Sequence, residues 1–202
     1  MAVESGGVVS AAVEGIVDEA VIRMLVGEAG GSVDAVYNKN GKSSLRKSIA
    51  GYNNAARFSP WIVLVDLDQD ADCAPPLLAD WLPAPAPQMC LRIAVRETEA
   101  WLLADHVNLP AFLAVSATRL PLVPDGVSDP KRCLVDLARR SRRRDIREDM
   151  VPRTGSGRSV GPAYASRLIE FVARAWRPEV AARRSDSLRR CRERIAELVH
   201  GT

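Results

Sequence analysis

The segment WIVLVDLDQDAD, residues 61–72, carries the strongest fold signal in the chain. Its first part, residues 61–65, is apolar and rich in β-branched side chains, and aspartates alternate with other residues directly after it. A run this short and this apolar is typical of a strand that is buried on both faces of a parallel sheet. The segment therefore predicts a central strand with carboxylates at its carboxyl end.

Three further segments predict strands of the same sheet, at residues 7–13, 32–37 and 89–95. Apolar residues at helical spacing lie between the strands, over residues 18–28, 43–58 and 75–81. Strands that alternate with helices in this way imply a mainly parallel sheet joined by right-handed crossovers. The predicted fold class is therefore α/β, with helices flanking the sheet.

The strand signals end near residue 100, and short helices are predicted for the remaining chain. They are expected at residues 101–104 and 110–115, from Asp129-Pro130 through Ala138, around Tyr164, Leu168 and Phe171, and after a cap at Ser185. The last helix has a narrow apolar stripe, which consists of Leu188, Cys191, Ile195 and Leu198. Arginines flank this stripe, so contact with a partner helix, as in a homodimer, is expected as readily as burial in the main core. We expect an α/β core with an acidic metal site over residues 1–110. A basic, mostly helical extension over residues 111–202 is expected to pack on it.

The two parts carry opposite charge. Residues 1–110 contain 8 lysines and arginines against 14 aspartates and glutamates, whereas residues 111–202 contain 20 against 11. The overall charge of +3 conceals this asymmetry. One part is suited to hold cations and the other to bind polyanions, so nucleic acid is the expected partner.

Two further features bear on location and redox chemistry. No apolar run approaches the roughly 20 residues of a membrane span, and MAVESGG at the amino terminus lacks the basic start and apolar stretch of a signal peptide. We therefore expect a cytoplasmic protein without a membrane partner. The cysteines form no CxxC pair, which argues against a structural zinc site and predicts buried free thiols at Cys73, Cys90, Cys133 and Cys191.

Carboxylates follow three of the four predicted strands. The set consists of Glu14 and Asp18, then Asp66, Asp68, Asp70 and Asp72, then Glu97 and Glu99. Because the carboxyl ends of parallel strands meet at one edge of the sheet, we expect these side chains to converge. Carboxylate oxygens are the ligands that Mg²⁺ and Mn²⁺ prefer, so a divalent-metal site is the first hypothesis.

The spacing of these acids supports more than one interpretation. Asp66 and Asp68 are two residues apart, so in an extended strand end both project to the same side, about 6.5 to 7 Å apart along the chain. Asp70 continues the alternation and is a further candidate ligand, although a solubilising loop that caps a helix has the same composition. Glu97 and Glu99 are either ligands for a second cation or first-turn acids that the dipole of the following helix favours.

The basic part offers two candidate contacts for phosphates. Its densest stretch contains Arg139, Arg140, Arg142, Arg143 and Arg144. These arginines would track a nucleic-acid backbone without reading its sequence. The glycine-rich loop at residues 153–162 carries Arg153 and Arg158, which together with Lys131 are the candidates to hold the scissile or a flanking phosphate. A solvated helix face and a flexible surface loop are the simpler explanations of the two stretches.

Several of these segments resemble a known family. VEGIVDEAVIRML, residues 13–25, looks like the Glu-Gly-containing first motif of Toprim domains, and VLVDLDQD, residues 63–70, looks like their Asp-x-Asp motif. Further along, VRETEAWLLAD, DPKRCLVDLARRS and GSGRSVGPAY resemble the bacterial proteins grouped as domain of unknown function 4276, Toprim-like relatives of the nuclease half of OLD-family proteins. The resemblance extends from Val13 to about Trp176, and its longer motifs are far more specific than the short ones.

The resemblance implies a Toprim-like, Rossmann-like fold and a nuclease that cleaves DNA phosphodiesters with Mg²⁺ or Mn²⁺. By similarity Glu14, Asp66 and Asp68 correspond to the metal-binding triad. Candidates for a second cation are Asp18, Glu97 and Glu99. Two such cations would activate water for attack on the phosphodiester and neutralise charge on the leaving oxygen. The resemblance also suggests an effector that works with an ATPase partner in phage defence, since GSGRSVG lacks the Lys-Ser/Thr ending of a phosphate-binding P-loop.

Two other functions stay open. In the first, the chain is a noncatalytic regulatory subunit that binds nucleic acid or a partner protein, with one structural magnesium or none at its acidic edge. In the second, the same carboxylates support nucleotidyl or phosphoryl transfer to a small molecule, although no nucleotide-binding loop is recognisable. Metal-dependent strand scission separates the nuclease from the regulatory subunit.

Overall fold

The computed structural model describes residues 7–38 and 41–201 and divides them into two compact units. The first unit contains the described residues up to Val95 together with those from Arg189 onward, and the second unit is Arg96–Leu188. The predicted division lay at residue 110. In the structure the chain enters the second unit directly after the last strand, and the final helix brings it back to the first.

The first unit is built on a four-stranded sheet. Its strands are β1 (Val8–Val13), β2 (Ser32–Asn38), β3 (Trp61–Asp66) and β4 (Met89–Ala94). Their order across the sheet is β2-β1-β3-β4, and every neighbouring pair is parallel. This confirms the predicted α/β class. The strands also lie within one residue of their predicted bounds, because short apolar runs bounded by turn residues have few alternatives.

The strand order creates a crevice between β1 and β3. The chain passes from β1 to β2 on one side, and it reaches β3 and then β4 on the other side. In open parallel sheets, ligands bind at this point, outside the carboxyl ends of the two strands where the connections diverge. Side chains that directly follow β1 or β3 therefore lie where such folds build their sites.

Three helices connect the strands of the first unit. They are α1 (Ile16–Glu28), α2 (Lys42–Ala55) and α3 (Ala74–Trp81). The apolar face of α2 packs on the sheet through Leu45, Ile49 and Tyr52, and the Tyr52 ring stacks on Trp61 with ring centroids 4.9 Å apart. Burial of aromatic and aliphatic side chains on this scale is the main stabilising contribution to the unit.

The second unit is helical. Only the first residues of the final helix, α10 (Asp186–His200), belong to it. Between β4 and α10 the chain forms α4 (Thr98–Leu103), α5 (Asn108–Leu113), two 3-10 turns (Ala117–Arg119 and Pro124–Gly126), α6 (Pro130–Arg139), α7 (Arg144–Met150), α8 (Tyr164–Arg174) and α9 (Pro178–Ala181). Trp101 and Phe171 are its largest fully buried side chains. The sequence did not predict α7. Most of its residues are charged, and its two buried apolar residues, Ile146 and Met150, are too few to give a clear helical pattern. No helix among the described residues combines the length and apolar character needed to cross a membrane.

The final helix, α10, is capped as predicted: the Leu188 backbone N–H donates to Ser185 Oγ at 3.2 Å. Its apolar stripe is buried at Leu188, Cys191, Ile195 and Val199, whereas the predicted fourth member, Leu198, is only half-buried. The fourth buried residue is thus Val199 and not Leu198. Val199 lies four positions after Ile195, just as Ile195 lies four positions after Cys191, so these three residues follow one face of the helix. The homodimer remains a prediction.

The four cysteines are free thiols, but only Cys90 and Cys191 are buried. Cys133 is partly exposed and Cys73 is exposed, so the prediction of buried thiols holds for two of the four. Burial raises the pKa of Cys90 to about 11 and raises that of Cys191 further, which keeps both buried thiols protonated.

Candidate functional site

Glu14 and Asp66 meet at the crevice between β1 and β3. Glu14 directly follows β1, and its Oε1 accepts a hydrogen bond from the backbone N–H of Asp66, the last residue of β3, at 3.0 Å. The side chain thus ties the carboxyl ends of the two strands together. The structure brings these two predicted residues together as the strand order requires.

Asp18 lies in the first turn of α1 and serves to cap it. Its Oδ2 accepts a hydrogen bond from the Gly15 backbone N–H at 2.9 Å, and the residue is buried. A carboxylate in this position satisfies a helix N–H group and interacts favourably with the helix dipole. The structure therefore gives Asp18 a structural task, in addition to its position near Glu14.

The environment of the Glu14 carboxyl disfavours its charged form. Its pKa is raised from the ordinary value of 4.5 to about 7, chiefly because burial removes water from the carboxylate. The Asp66 N–H and the Lys42 ammonium oppose this shift, while the negative charges of Asp68 and Asp18 add to it. Near neutral pH a proton or a cation at this position is therefore favourable.

Asp68 does not lie where the strand period predicts. β3 ends at Asp66, and Asp68 adopts the left-handed conformation with φ of 51°. Aspartate tolerates this conformation better than most residues do, and the turn continues with a hydrogen bond from Asp70 N–H to Leu67 O at 3.2 Å. The expectation that Asp66 and Asp68 project to the same side of an extended strand therefore does not hold.

Lys42 neutralises the aspartates of this turn. Its Nζ lies 2.9 Å from Asp68 Oδ2 and 2.8 Å from Asp70 Oδ2, and it donates to Leu67 O at 3.2 Å. Burial works to lower the pKa of Lys42, but its hydrogen bonds to Asp70 and Asp68 outweigh burial, and the pKa is raised. No sequence motif indicated Lys42. Its position at the start of α2, just after β2 ends at the same sheet edge, was the signal that could have indicated it.

We call Glu14, Asp66, Asp68, Asp70 and Lys42 the sheet-edge site. Its oxygen donors are of the kind that Mg²⁺ and Mn²⁺ prefer. Within the residues that the structure describes, however, no set of three or more histidine, cysteine, aspartate or glutamate side chains is arranged to hold a metal ion. The carboxylates of Asp68 and Asp70 are turned toward the lysine. The donor chemistry fits a divalent cation, and the arrangement fits one only after Lys42 gives up these acids.

Glu97 and Glu99 lie in the second unit and contact Lys131. Glu97 precedes α4 as its cap residue, and its carboxylate accepts from Lys131 N–H at 3.1 Å and lies 3.5 Å from Lys131 Nζ. Lys131 Nζ is 3.8 Å from Glu99 Oε1. Glu99 lies in the first turn of α4, as one of the two interpretations predicts, whereas Glu97 precedes the helix; the second cation stays a prediction. Lys131, a predicted phosphate-binding residue, therefore contacts these two acids in the structure.

Tyr164 completes this group, which we call the α4 cluster (Glu97, Glu99, Lys131 and Tyr164). The tyrosine hydroxyl donates to Glu99 Oε1 at 3.4 Å, and Glu99 is only 5% exposed. Burial first, and then the charges of Glu99 and Glu97, raise the pKa of Tyr164 far above its usual range. The hydroxyl therefore stays protonated and remains a permanent donor to the buried carboxylate.

The glycine-rich loop between α7 and α8 has a defined shape. Gly155 and Gly157 adopt positive φ of 78° and 67°, and a Cβ at Gly161 would lie 2.4 Å from Asp149 O, so only glycine fits there. The loop borders a hollow of about 400 Å³ that is lined in part by Arg153 and Arg158. Both arginines are exposed, and neither pairs with an acid in the described part of the chain. They are available to an anion.

The arginine stretch before α7 divides into two groups. Arg139 pairs with Asp136, Arg143 with Asp145, and Arg144 with Glu148. Arg140 and Arg142 are exposed and make no ion pair with any described residue. Three of the five arginines thus form salt bridges at the surface, as expected of a solvated helix face. The other two form no ion pair with a described residue.

Comparison with known proteins found no relative of the chain. No family model, no curated protein and no solved structure matches it. The resemblance to Toprim domains and to domain of unknown function 4276 therefore remains a prediction from the quoted motifs.

Proposed function

We propose that the chain is a divalent-metal-dependent nuclease that acts on DNA phosphodiesters, with the sheet-edge site as its catalytic centre. The observation that carries the proposal is the hydrogen bond of 3.0 Å between Glu14 and the Asp66 backbone, at the point of the sheet where α/β folds bind ligands. The quoted Toprim-like motifs support the same assignment, because they contain Glu14, Asp66 and Asp68.

The charge balance of the site favours a cation as the group it binds. Burial and the neighbouring acids penalise the negative charge on Glu14, and a cation beside it would offset that penalty. In the proposal Glu14, Asp66 and Asp68 hold Mg²⁺ or Mn²⁺, with Asp70 next to them. Bound there, the cation would supply polarisation of a phosphate oxygen and a more acidic water.

The second unit supplies groups that suit the substrate. Arg153 and Arg158 have no acid partner among the described residues, and their planar guanidinium groups bind phosphate through two parallel hydrogen bonds. Lys131 is placed with the acids of the α4 cluster, so in the proposal it exchanges between these acids and a phosphate. The proposal includes a cytoplasmic location and a role as the effector that works with an ATPase partner in phage defence.

A cleavage assay tests the proposal. Purified protein is incubated at low salt with supercoiled plasmid and with single-stranded DNA, in magnesium, manganese or EDTA. We expect nicking with metal only, and we expect Asp66→Asn to reduce it by more than about 1,000-fold because a ligand and its negative charge are lost. Circular dichroism and DNA affinity in EDTA should stay close to those of the unmodified protein.

Asp34→Asn is the matched control, since Asp34 is an exposed aspartate of β2 in the same unit. It should cleave like the unmodified protein. Equal loss in the two variants, or nicking that persists in EDTA, would show that the sheet-edge site is not the source of activity.

A noncatalytic regulatory subunit is the alternative, and one observation favours it. Lys42 forms ion pairs with both Asp68 and Asp70, which is an arrangement that a purely structural site would also have. In that case no metal supports cleavage by the chain, with or without an ATPase partner, while nucleic-acid binding in EDTA is retained. Cleavage that appears when the partner is added would support the nuclease proposal over this alternative.

A further inference from the structure

A hollow of about 670 Å³ lies beside α6 in the second unit. Its polar lining comes from the 3-10 turn at residues 117–119, from the segment before α6 and from α6 itself, and includes Thr118, Arg119, Ser128, Arg132, Cys133 and Arg140. We call it the arginine hollow. No role for Arg119 or Arg132 follows from the motifs or from the sheet-edge site.

The three arginines of the hollow carry charge that no acid fully neutralises. Arg119 and Arg140 are exposed and form no ion pair with a described residue. Arg132 has a side chain that is 79% exposed and makes one long contact, 4.0 Å, with Asp136. This differs from Arg143 and Arg144, which pair with acids of α7. The positive charge of the hollow is therefore available to an anion.

The two acids that line the hollow are already engaged. Asp129 Oδ1 accepts a hydrogen bond from the Arg132 backbone N–H at 2.8 Å and so caps the start of α6. Asp136 pairs with Arg139, which does not line the hollow. Asp136 is therefore shared with an arginine outside the hollow, and the three arginines of the hollow outnumber its two acids.

The spacing of the arginines suits a polymer of phosphates. Arg132 and Arg140 are eight positions apart on and just after α6, which corresponds to about 12 Å of helix rise. Along one strand of a duplex, a phosphate recurs about every 3.4 Å of axis, so this distance spans three to four phosphates. No aromatic side chain lines the hollow, so it lacks a surface on which bases stack.

We infer that the arginine hollow binds the phosphodiester backbone of nucleic acid without reading its sequence. The inference relies on the proposed function for the class of partner, but it does not require catalysis. In the inference Arg119, Arg132 and Arg140 contact the phosphates.

Binding in EDTA tests the inference apart from cleavage. The affinity of the full chain for a labelled 30-nucleotide single strand and for the corresponding duplex is measured between 50 and 200 mM salt. The triple variant Arg119→Gln, Arg132→Gln and Arg140→Gln should reduce the slope of log affinity against log salt by about 2 to 3, since each lost phosphate contact removes about 0.7 to 0.9. The loss should be similar for unrelated sequences.

A second triple variant controls for net charge. Arg174→Gln, Arg189→Gln and Arg194→Gln remove three exposed arginines that each pair with a glutamate of their own helix. This variant should keep the salt slope within about 0.5 of the original. Equal loss in the two triples would show that overall charge, not the hollow, drives binding, and would overturn the inference. Binding that is unchanged in both would overturn it as well.

The chain also carries an internal reporter of occupancy. Cys133 lines the hollow and is partly exposed, whereas Cys73 is exposed in the first unit. With nucleic acid bound in EDTA, alkylation of Cys133 by a maleimide should slow several-fold relative to the free chain, and the triple variant Arg119→Gln, Arg132→Gln and Arg140→Gln should lose this protection. Heparin in place of nucleic acid tests whether any polyanion protects the thiol. Protection of Cys133 by heparin and not by nucleic acid, or no protection by either, would contradict the inference.

Discussion

The sheet-edge site and the α4 cluster both contain a lysine between carboxylates, but they differ in how exposed the carboxylates are. In each, one lysine lies between two carboxylates: Lys42 between Asp68 and Asp70, and Lys131 between Glu97 and Glu99. The side chains of Asp68 and Asp70 are 41% and 52% exposed, whereas Glu99 is buried and also accepts from Tyr164. Exposed ion pairs contribute little stability and exchange partners easily, while a buried carboxylate must keep its donors. The comparison indicates that Asp68 and Asp70 can exchange partners more easily than Glu99 can.

The largest expected effect on stability comes from the α4 cluster. Glu99→Ala should lower the free energy of unfolding by about 2 to 3 kcal/mol, because it leaves the buried Tyr164 hydroxyl without its acceptor and removes a partner of Lys131. Asp70→Ala should lower it by about 0.5 kcal/mol or less, since the Asp70 side chain is 52% exposed and Lys42 keeps Asp68 as a partner. Urea unfolding at pH 7 measures both values. Equal losses of stability in the two variants would contradict the distinction between the buried Glu99 and the exposed Asp70.

The next prediction concerns the lysine that competes with a cation. Lys42→Met should raise the affinity of the chain for Mn²⁺ by about tenfold, because the ammonium no longer holds Asp68 and Asp70. Isothermal titration calorimetry without nucleic acid measures this directly. Lys47→Met is the control, since Lys47 is an exposed lysine of the same helix, and Lys131→Met should leave Mn²⁺ affinity unchanged. A weaker affinity in Lys42→Met would mean that the lysine supports the site and does not compete with the cation.

The smallest expected effect is a pH-dependent change in stability at Glu14. A carboxyl whose pKa rises to about 7 on folding binds its proton more tightly in the folded state, so folding gains stability as the pH falls from 7 toward 4.5. Above pH 7 the penalty of the charged form is fully present. Glu14→Gln removes that penalty, so its melting temperature should exceed that of the unmodified protein at pH 8, on the order of 2 °C, and the difference should shrink by pH 5.

The measurement is made in EDTA, so that no cation contributes. Glu179→Gln, at an exposed position, should show a difference that does not change with pH. A Glu14→Gln variant that is less stable at pH 8 than at pH 5, relative to the unmodified protein, would show that the Glu14 carboxylate stabilises the fold in its charged form.

The part of the molecule that the sequence predicted best is the sheet. All four strands were predicted to within one residue, because β3 and its neighbours are short apolar runs that end at polar or turn residues. The placement of Glu14 and Asp66 at one edge followed from the parallel order alone. The helix α7 was missed, since Arg144, Glu148 and other charged residues dominate its composition and only Ile146 and Met150 are apolar and buried.

The candidate site was predicted in its residue types and not in its contacts. The strand period applies only while the chain is extended, and it stopped applying at Asp68, where φ becomes positive. Lys42 contacts Asp68 across 26 residues of sequence, and Lys131 contacts Glu97 across 34. No local pattern reports pairs at such separations, because they form only when separate elements pack together.

The sequence by itself determined the alternation of strands and helices, the carboxylates after three strands, and the excess of positive charge after residue 110. These properties are set by neighbouring residues, through backbone preference and the burial of apolar side chains. Only the tertiary structure decided which charges are neutralised: Lys42 on the aspartates after β3, Lys131 on the acids of α4, and acids beside some arginines but not others. The physical reason is that ion pairing depends on distances of a few ångströms between groups that are far apart along the chain.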